Sequence, residues 1–155
     1  MDEQANGNKP LADIQLRWFD DSALLTDEPR EVLYVFLDSI GVTSDVARDL
    51  FEVLLLSRHH DLALGTREIK ANILEMRRRR KVKEPGKGLT DRNIQVWLSY
   101  FNKIGLIDSI GGKHRFKGNK RPSKAFSEDV RPVVEECLKF SEKVLLKVEE
   151  GYKIR

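Results

Sequence analysis

The sequence predicts a mainly α-helical protein with one small β-hairpin. Through most of the chain, apolar residues recur three and four positions apart, which is the spacing of amphipathic helices. The period changes after Gly105, where two segments typical of short strands, LIDSI and KHRFK, flank Gly111-Gly112, and a glycine pair favours a two-residue hairpin turn. With 155 residues and 40% hydrophobic composition, the chain is long enough to bury one core.

The first 42 residues divide into a polar terminus and a helical extension. Residues 1–10 are polar and contain glycine and proline, so we expect a flexible N-terminus. Residues 11–42 are expected to form an N-terminal helical extension. Its helix is capped by Thr26 or Asp27 and stops at Gly41, because these residue types favour helix starts and ends respectively.

Two more helices are predicted before a loop. The first begins near Thr43 or Ser44, and the second has Thr66 as its N-cap. The second helix runs into four consecutive arginines, after which glycine and proline interrupt the helical pattern from Lys81 to Gly88.

The clearest helix of the chain follows this loop. Thr90 is its predicted N-cap and Gly105 its end. Its apolar residues follow the i, i+3, i+4, i+7 spacing and therefore face the core: Ile94, Trp97, Leu98, Phe101 and Ile104. In the hairpin that comes next, the two-residue turn sets Ile107 opposite Phe116, a cross-strand pair that anchors it to the core.

A C-terminal helix is predicted over residues 126–151. Apolar and small residues recur along it at alternating steps of four and three, the pattern of a coiled-coil seam. We expect this seam to join two copies in a homodimer, although packing of the helix on its own domain remains an alternative. The candidate dimerisation residues are Val130, Val134, Cys137, Leu138, Val144 and Val148.

The charge of the chain is strongly segregated. Its net charge is only +3, but residues 77–124 contain 15 Lys or Arg and 3 Asp or Glu, whereas the rest contains 13 and 22. Solubility alone requires mixed signs rather than segregation. One end of the molecule is therefore expected to attract polyanions. Anionic lipid is an alternative ligand for such a segment.

Helices followed by a basic two-stranded hairpin resemble the winged helix-turn-helix superfamily, over about residues 43–120. The passage YFNKIGLIDSIGGKHRF is similar to one common in archaeal and bacterial regulators of this class. The resemblance implies a transcriptional regulator that binds double-stranded DNA, with helix 91–104 in the major groove and hairpin 106–117 as the wing. The loop at residues 81–88 departs from the family pattern, because the usual turn at this place is tighter.

The candidate DNA-binding residues come from the outward side of helix 91–104, the hairpin and the end of the arginine run. Arginine suits guanine, glutamine suits adenine, a small apolar group meets the thymine methyl, and cations reach phosphate. The backbone N–H groups behind Thr90 offer a further phosphate site. The full set is Arg80, Lys81, Thr90, Arg92, Asn93, Gln95, Val96, Ser99, Lys103, Lys113, His114, Arg115 and Lys117.

Two other functions remain open: RNA binding in a ribosome-associated or RNA-processing role, and service as a protein-assembly adaptor. The sequence contains no phosphate-binding loop, dinucleotide glycine pattern or nucleophile elbow. We therefore expect no enzyme activity, cofactor or metal. A single cysteine and the lack of an 18-residue apolar run indicate a cytoplasmic protein without a membrane segment, and the resemblance to DNA-binding regulators implies association with the nucleoid.

Overall fold

The computed structural model of the chain describes residues 14–155; the predicted flexible terminus at residues 1–10 lies outside this part. As predicted, the fold is mainly helical, with a small antiparallel sheet. The helices are α1 (Pro29–Ser39), α2 (Asp45–His59), α3 (Thr66–Arg79), α4 (Asp91–Lys103), α5 (Pro122–Ala125) and α6 (Arg131–Tyr152). The strands are β1 (Leu64–Gly65), β2 (Ile107–Ile110) and β3 (Lys113–Phe116). Short 3-10 turns occupy Asp21–Leu24 and Lys117–Asn119, and a π-helical turn, Phe126–Val130, joins α5 to α6.

Capping residues fix where the helices begin. The Ser44 hydroxyl accepts the Ala47 N–H at the start of α2, and the Thr90 hydroxyl accepts the Asn93 N–H at the start of α4, which confirms both predicted caps. The other two predicted caps are wrong by one or two residues. Glu28 precedes α1, and Gly65 precedes α3, where its N–H is satisfied by the Glu68 carboxylate.

The core lies where α1, α2, α4 and the hairpin meet. The Phe51 ring sits at its centre, with ring centroids 5.2 Å from Phe101, 5.4 Å from Phe116 and 5.6 Å from Phe36. Edge-to-face packing of this kind adds to the stability from burial alone. Because Leu37 of α1 belongs to the same buried cluster, the N-terminal extension and residues 43–120 share one core.

The sheet has three strands in the order β1–β3–β2, all antiparallel. Ile107 faces Phe116 as predicted, and the turn glycines Gly111 and Gly112 both have positive φ, 60° and 77°, as a tight hairpin turn requires. The sequence analysis missed β1, in which Leu64 pairs with His114. This strand ties the start of α3 to the hairpin.

The C-terminal helix differs from its prediction in two respects. Its helical turns begin before Phe126, and it continues through Gly151 to end at Lys153, which adopts the left-handed conformation. Val130 is fully buried in the core of its own domain, so its assignment to a dimer seam is wrong. Gly105 permits this docking: its φ is +97°, and a Cβ there would lie 2.7 Å from the Asp129 carbonyl oxygen. Among residues 14–155, no helix combines the length and the apolar character that crossing a membrane requires.

Candidate nucleic-acid interface

The outward side of α4 is free of contacts with the core. Ile94, Leu98 and Phe101 are buried, so the residues between them in the helical turn point to solvent. They include Arg92, Gln95, Val96, Ser99 and Lys103, the five that the sequence assigned to this side, and Asn93, which was predicted to flank them. The Asn93 amide donates to the Gly88 carbonyl (2.9 Å) and so joins the start of α4 to the preceding loop.

A chain of hydrogen bonds connects α4 to the hairpin through the start of α3. The Gln95 Nε2 group donates to Thr66 Oγ1 (3.0 Å), Thr66 Oγ1 lies 3.4 Å from His114 Nε2, and His114 Nδ1 lies 2.6 Å from Ser109 Oγ. A Lys70–Asp91 ion pair of 3.2 Å holds α3 and α4 together one turn further on. The outward side of α4, the start of α3 and the hairpin are therefore contiguous.

His114 lies in the middle of this chain of hydrogen bonds, between Thr66 of α3 and Ser109 of β2. The Thr66 and Ser109 hydroxyls can each donate or accept, so either neutral tautomer of His114 satisfies both contacts. Burial lowers the pKa of His114, since desolvation disfavours the charged imidazole. His114 is thus a neutral structural residue, and its predicted role as a DNA contact is not supported by its surroundings.

Of the hairpin cations, two are exposed and one is paired. Lys113 and Lys117 are exposed and have no acidic partner among residues 14–155. Arg115 forms a cross-strand ion pair with Asp108 (Nε–Oδ1 2.9 Å). Partial burial would raise the pKa of Asp108, but hydrogen bonds from the Gly118 N–H and from Arg115 outweigh it and lower that pKa. Arg115 therefore bridges the two strands of the hairpin, and Lys113 and Lys117 are its exposed cations.

Of the four arginines at residues 77–80, Arg77 and Arg80 point toward the interior of the fold, whereas Arg78 and Arg79 are exposed. Arg77 is buried, donates to Asp49 (2.7 Å) and also donates to the carbonyls of Pro85 (3.0 Å) and Lys87 (2.7 Å). Arg80 donates to the other oxygen of Asp49 (2.8 Å). The predicted phosphate role of Arg80 is therefore corrected, because its guanidinium is committed to a carboxylate inside the fold.

The long loop between α3 and α4 is held by this buried cluster. Its Lys81 side chain is exposed, as predicted, and so are those of Lys83 and Lys87, which the sequence analysis did not select. Arg67, exposed in the first turn of α3 beside Thr66, was also missed. Arg67 lies outside the basic segment, residues 77–124, on which the selection of candidates was centred.

We call the exposed cations on these contiguous elements the basic surface: Arg67, Lys87, Arg92, Lys103, Lys113 and Lys117. Of the acids nearby, two are in ion pairs and a third accepts a backbone hydrogen bond. Glu68 accepts the Gly65 N–H, Asp91 pairs with Lys70, and Asp108 pairs with Arg115. The surface is therefore electropositive, and its positive charges face solvent.

The candidate dimer residues lie mostly on the open side of α6. Val134 is half-buried against the core, whereas Cys137 and the apolar residues beyond it are exposed. Within the described part of the chain, no three His, Cys, Asp or Glu side chains converge as a metal site would require. The comparisons with known proteins found no matching family model, no matching curated protein and no matching solved structure.

Proposed function

We propose that residues 43–120 form a winged helix-turn-helix domain that binds double-stranded DNA, and that the protein is a cytoplasmic, nucleoid-associated transcriptional regulator. In this proposal, α2, α3 and α4 are the three helices, and the β2–β3 hairpin is the wing. The element order helix–strand–helix–helix–strand–strand and the strand order β1–β3–β2 support it. The observation that carries it is the hydrogen-bond chain from Gln95 to Ser109, because this chain sets the cations of α4 beside those of the hairpin.

In the proposed complex, α4 enters the major groove and reads bases. Arg92 has no acidic partner among residues 14–155 and is free to donate to the O6 and N7 atoms of guanine. Gln95 uses one N–H on Thr66 and keeps its other N–H and its carbonyl oxygen, the two groups that adenine requires. Val96 is 51% exposed and offers its methyl groups to thymine. The bond to Thr66 orients Gln95 before DNA arrives.

The wing and the flanking cations of the basic surface bind phosphate. Lys113 and Lys117 come from the hairpin, Arg67 from the start of α3 and Lys87 from the loop before α4. If six phosphates are neutralised, affinity falls about 10³-fold between roughly 50 and 200 mM salt. Strong salt dependence is thus an expected property of the complex.

The test begins with selection of bound fragments from random duplex DNA, followed by titration of the consensus sequence. Arg92→Ala is expected to cost about 1–3 kcal/mol on the consensus and to relax preference at one position. The double variant Lys113→Ala/Lys117→Ala is expected to weaken all sequences alike and to reduce the slope of log affinity against log salt by about 2.

The matched control removes two exposed cations at the C-terminal end that form no ion pair among residues 14–155, Lys153→Ala/Arg155→Ala, and should leave the slope unchanged. If the control and the hairpin variant lower the slope equally, binding is a property of net charge and the assignment of the wing is wrong. Structured RNA is titrated in parallel. If it competes with the selected duplex at equal concentration, the target is RNA, because a protein specific for the major groove of B-form DNA cannot read the deep, narrow groove of RNA helices.

We also propose that the protein acts as a homodimer. A two-fold dimer presents two copies of α4 to a pseudo-palindromic site, with half-sites one helical turn, about 34–36 Å, apart. The exposed apolar side chains of α6 support this proposal. The consensus selected from random DNA tests it independently, since a dimer selects an inverted repeat and a monomer selects one half-site.

A further inference from the structure

The apolar side of α6 is uncovered in the single chain. The helix has 22 residues, none of them buried, although Leu138 is 62%, Phe140 67% and Leu145 58% exposed. Helices in water owe most of their stability to the packing of an amphipathic side. An uncovered apolar patch of this extent marks an interaction surface.

This apolar side is too wide for a two-stranded coiled coil. The predicted seam runs along Val134, Cys137, Ser141, Val144 and Val148. At 100° per residue, it is flanked by Leu138 and Leu145 on one edge and by Val133 and Phe140 on the other. A two-stranded coiled coil buries two positions in seven and keeps charged residues at the flanks. Four apolar positions per heptad indicate a helix that lies in a groove between other elements.

A groove of that character lies on the α1 side of the domain. It has a volume of about 610 Å³ and a lining without charged side chains, which includes Val32, Phe36, Leu55, Leu106 and Phe126. A second depression of about 740 Å³ adjoins it, since both share Val32, Phe36 and Ser39. The strongly exposed Trp18 ring (98%) borders this second depression.

Helix α6 starts beside this groove but does not fill it. Phe126 lines the groove, with its ring centroid 6.0 Å from that of Phe36 in an edge-to-face arrangement. Val130, four residues later, is fixed in the core, and from Glu135 onward the side chains of α6 are almost all exposed. The groove is therefore open next to the point where α6 leaves its own domain. In a dimer with two-fold symmetry, this opening is accessible to the α6 of the second copy.

The charges along the two edges are complementary. Asp20 and Asp21 lie on the rim of the second depression beside one cation, Arg17, and Asp27 and Glu28 follow in the exposed segment before α1, so this rim is acidic on balance. Lys143 and Lys147 border α6 on the Phe140 edge of its apolar side, where the one acid, Glu136, is paired with Lys139. Opposite charges at the rim of an apolar contact favour one orientation of the partner.

From these observations we propose that α6 docks into the α1 groove of a second copy of this chain, and that the exchange is reciprocal. The two copies then form an isologous dimer. Only one consequence of this inference rests on the proposed function: the dimer brings together two DNA-binding helices, one α4 from each copy.

The first test compares neighbouring leucines on opposite sides of α6. Leu145 belongs to the apolar side, whereas Leu146, equally exposed at 60%, points to the charged side. We expect sedimentation equilibrium without nucleic acid to show a dimer for the unmodified protein and for Leu146→Glu, and a monomer for Leu145→Glu. Circular dichroism monitors folding. A dimeric Leu145→Glu protein, or equal loss in both variants, would overturn the inference, as would a monomeric unmodified protein.

The second test identifies what α6 contacts. Cys137 is the only cysteine in the sequence and is exposed on α6. The unmodified protein is mixed with the double variant Ser39→Cys/Cys137→Ser, which carries its thiol at the groove. A short bifunctional maleimide is expected to link Cys137 of one copy to the groove thiol of the other. Efficient crosslinking of Cys137 to Cys137 without the mixed product would instead establish a two-stranded coiled coil and refute groove docking.

Failure of the proposed function gives a different experimental result from failure of this inference. Dimerisation is measured without DNA, so a dimer with the expected crosslink that binds no duplex contradicts the DNA-binding proposal and leaves this inference standing. If the function is correct, monomeric Leu145→Glu protein binds a single half-site as the unmodified protein does and loses affinity only on the inverted repeat.

Discussion

Replacing Arg77 by methionine tests whether this arginine stabilises the fold, unlike its exposed neighbours in the run of four. The guanidinium and the Asp49 carboxylate form an ion pair of 2.7 Å, with side-chain exposures of only 5% and 6%. Removing one partner of a buried pair costs about 3–5 kcal/mol. Because Arg80 still pairs with Asp49 at 2.8 Å, the carboxylate is not left alone, and we expect the lower limit, about 3 kcal/mol.

The assay is urea denaturation followed by circular dichroism, with Arg78→Met as the control. Arg78 is exposed and has no acidic partner among residues 14–155, so its replacement should change the free energy of unfolding by less than about 0.5 kcal/mol. In thermal unfolding, the Arg77 variant should lose roughly 6–12 °C in Tm. Equal stability of the two variants would refute the argument that Arg77 is structural.

The same variant tests how the basic loop is held. Arg77 donates to the carbonyls of Pro85 and Lys87, so its loss removes the loop's attachment to α3. Limited digestion with trypsin should then cut after Lys83 and Lys87 faster in Arg77→Met than in Arg78→Met. Similar digestion rates would mean that the loop is held mainly by other contacts, such as that from Asn93 to Gly88.

Two more predictions concern stability. Burial lowers the pKa of His114 from its usual 6.5, so the unfolded chain binds the proton more tightly. The free energy of unfolding should therefore fall as the pH drops below about 6.5, and it should continue to fall until the pH reaches the folded-state pKa. Urea titrations from about pH 5 to about pH 8 should show that this pH dependence is smaller in His114→Gln. Gly105→Ala should destabilise by at least about 1 kcal/mol, because its φ is +97° and Asp129 is too close. Gly151→Ala, in the helix with open space around it, should instead stabilise by about 0.5–1 kcal/mol, and thermal unfolding compares the two.

Local sequence signals were enough to predict most of the helical architecture. The caps Ser44 and Thr90 act within three residues of their own positions, and the two-residue turn sets the register of Ile107 against Phe116. Each of these features depends on neighbours in the chain. The starts of α2 and α4 and the register of the hairpin were therefore predictable without knowledge of the tertiary structure, whereas the starts of α1 and α3 and the bounds of the C-terminal helix were not.

Features that depend on distant partners were not predictable in this way. Strand β1 has two residues and no periodicity, and it exists because β3 offers a free edge. Arg77 and Arg80 are identical in type to Arg78 and Arg79, and only Asp49, on a different helix, distinguishes them. Val130 fits the heptad spacing of α6, but the preceding π-helical turn directs it into its own core.

Pairing inside the fold reduces the charge that the basic segment offers to a polyanion. Of the 15 cations between residues 77 and 124, six are in ion pairs: Arg77, Arg79, Arg80, Arg115, Lys120 and Lys124. Nine remain, so this segment limits the slope of log affinity against log salt to about −8 per chain.

Lys113 and Arg115 provide the sharpest comparison, because alternate residues of one strand share one side of the sheet. Lys113→Ala should reduce the magnitude of that slope by about 0.9 and leave stability unchanged. Arg115→Ala removes a pair that is 29% and 28% exposed, so it should cost less than about 1 kcal/mol of stability. It should leave the salt slope as it was, because a cation already neutralised by Asp108 releases no counterions from DNA. An equal change in slope for both variants would show that DNA displaces the carboxylate from Arg115, so that cations in exposed ion pairs must be counted with the nine.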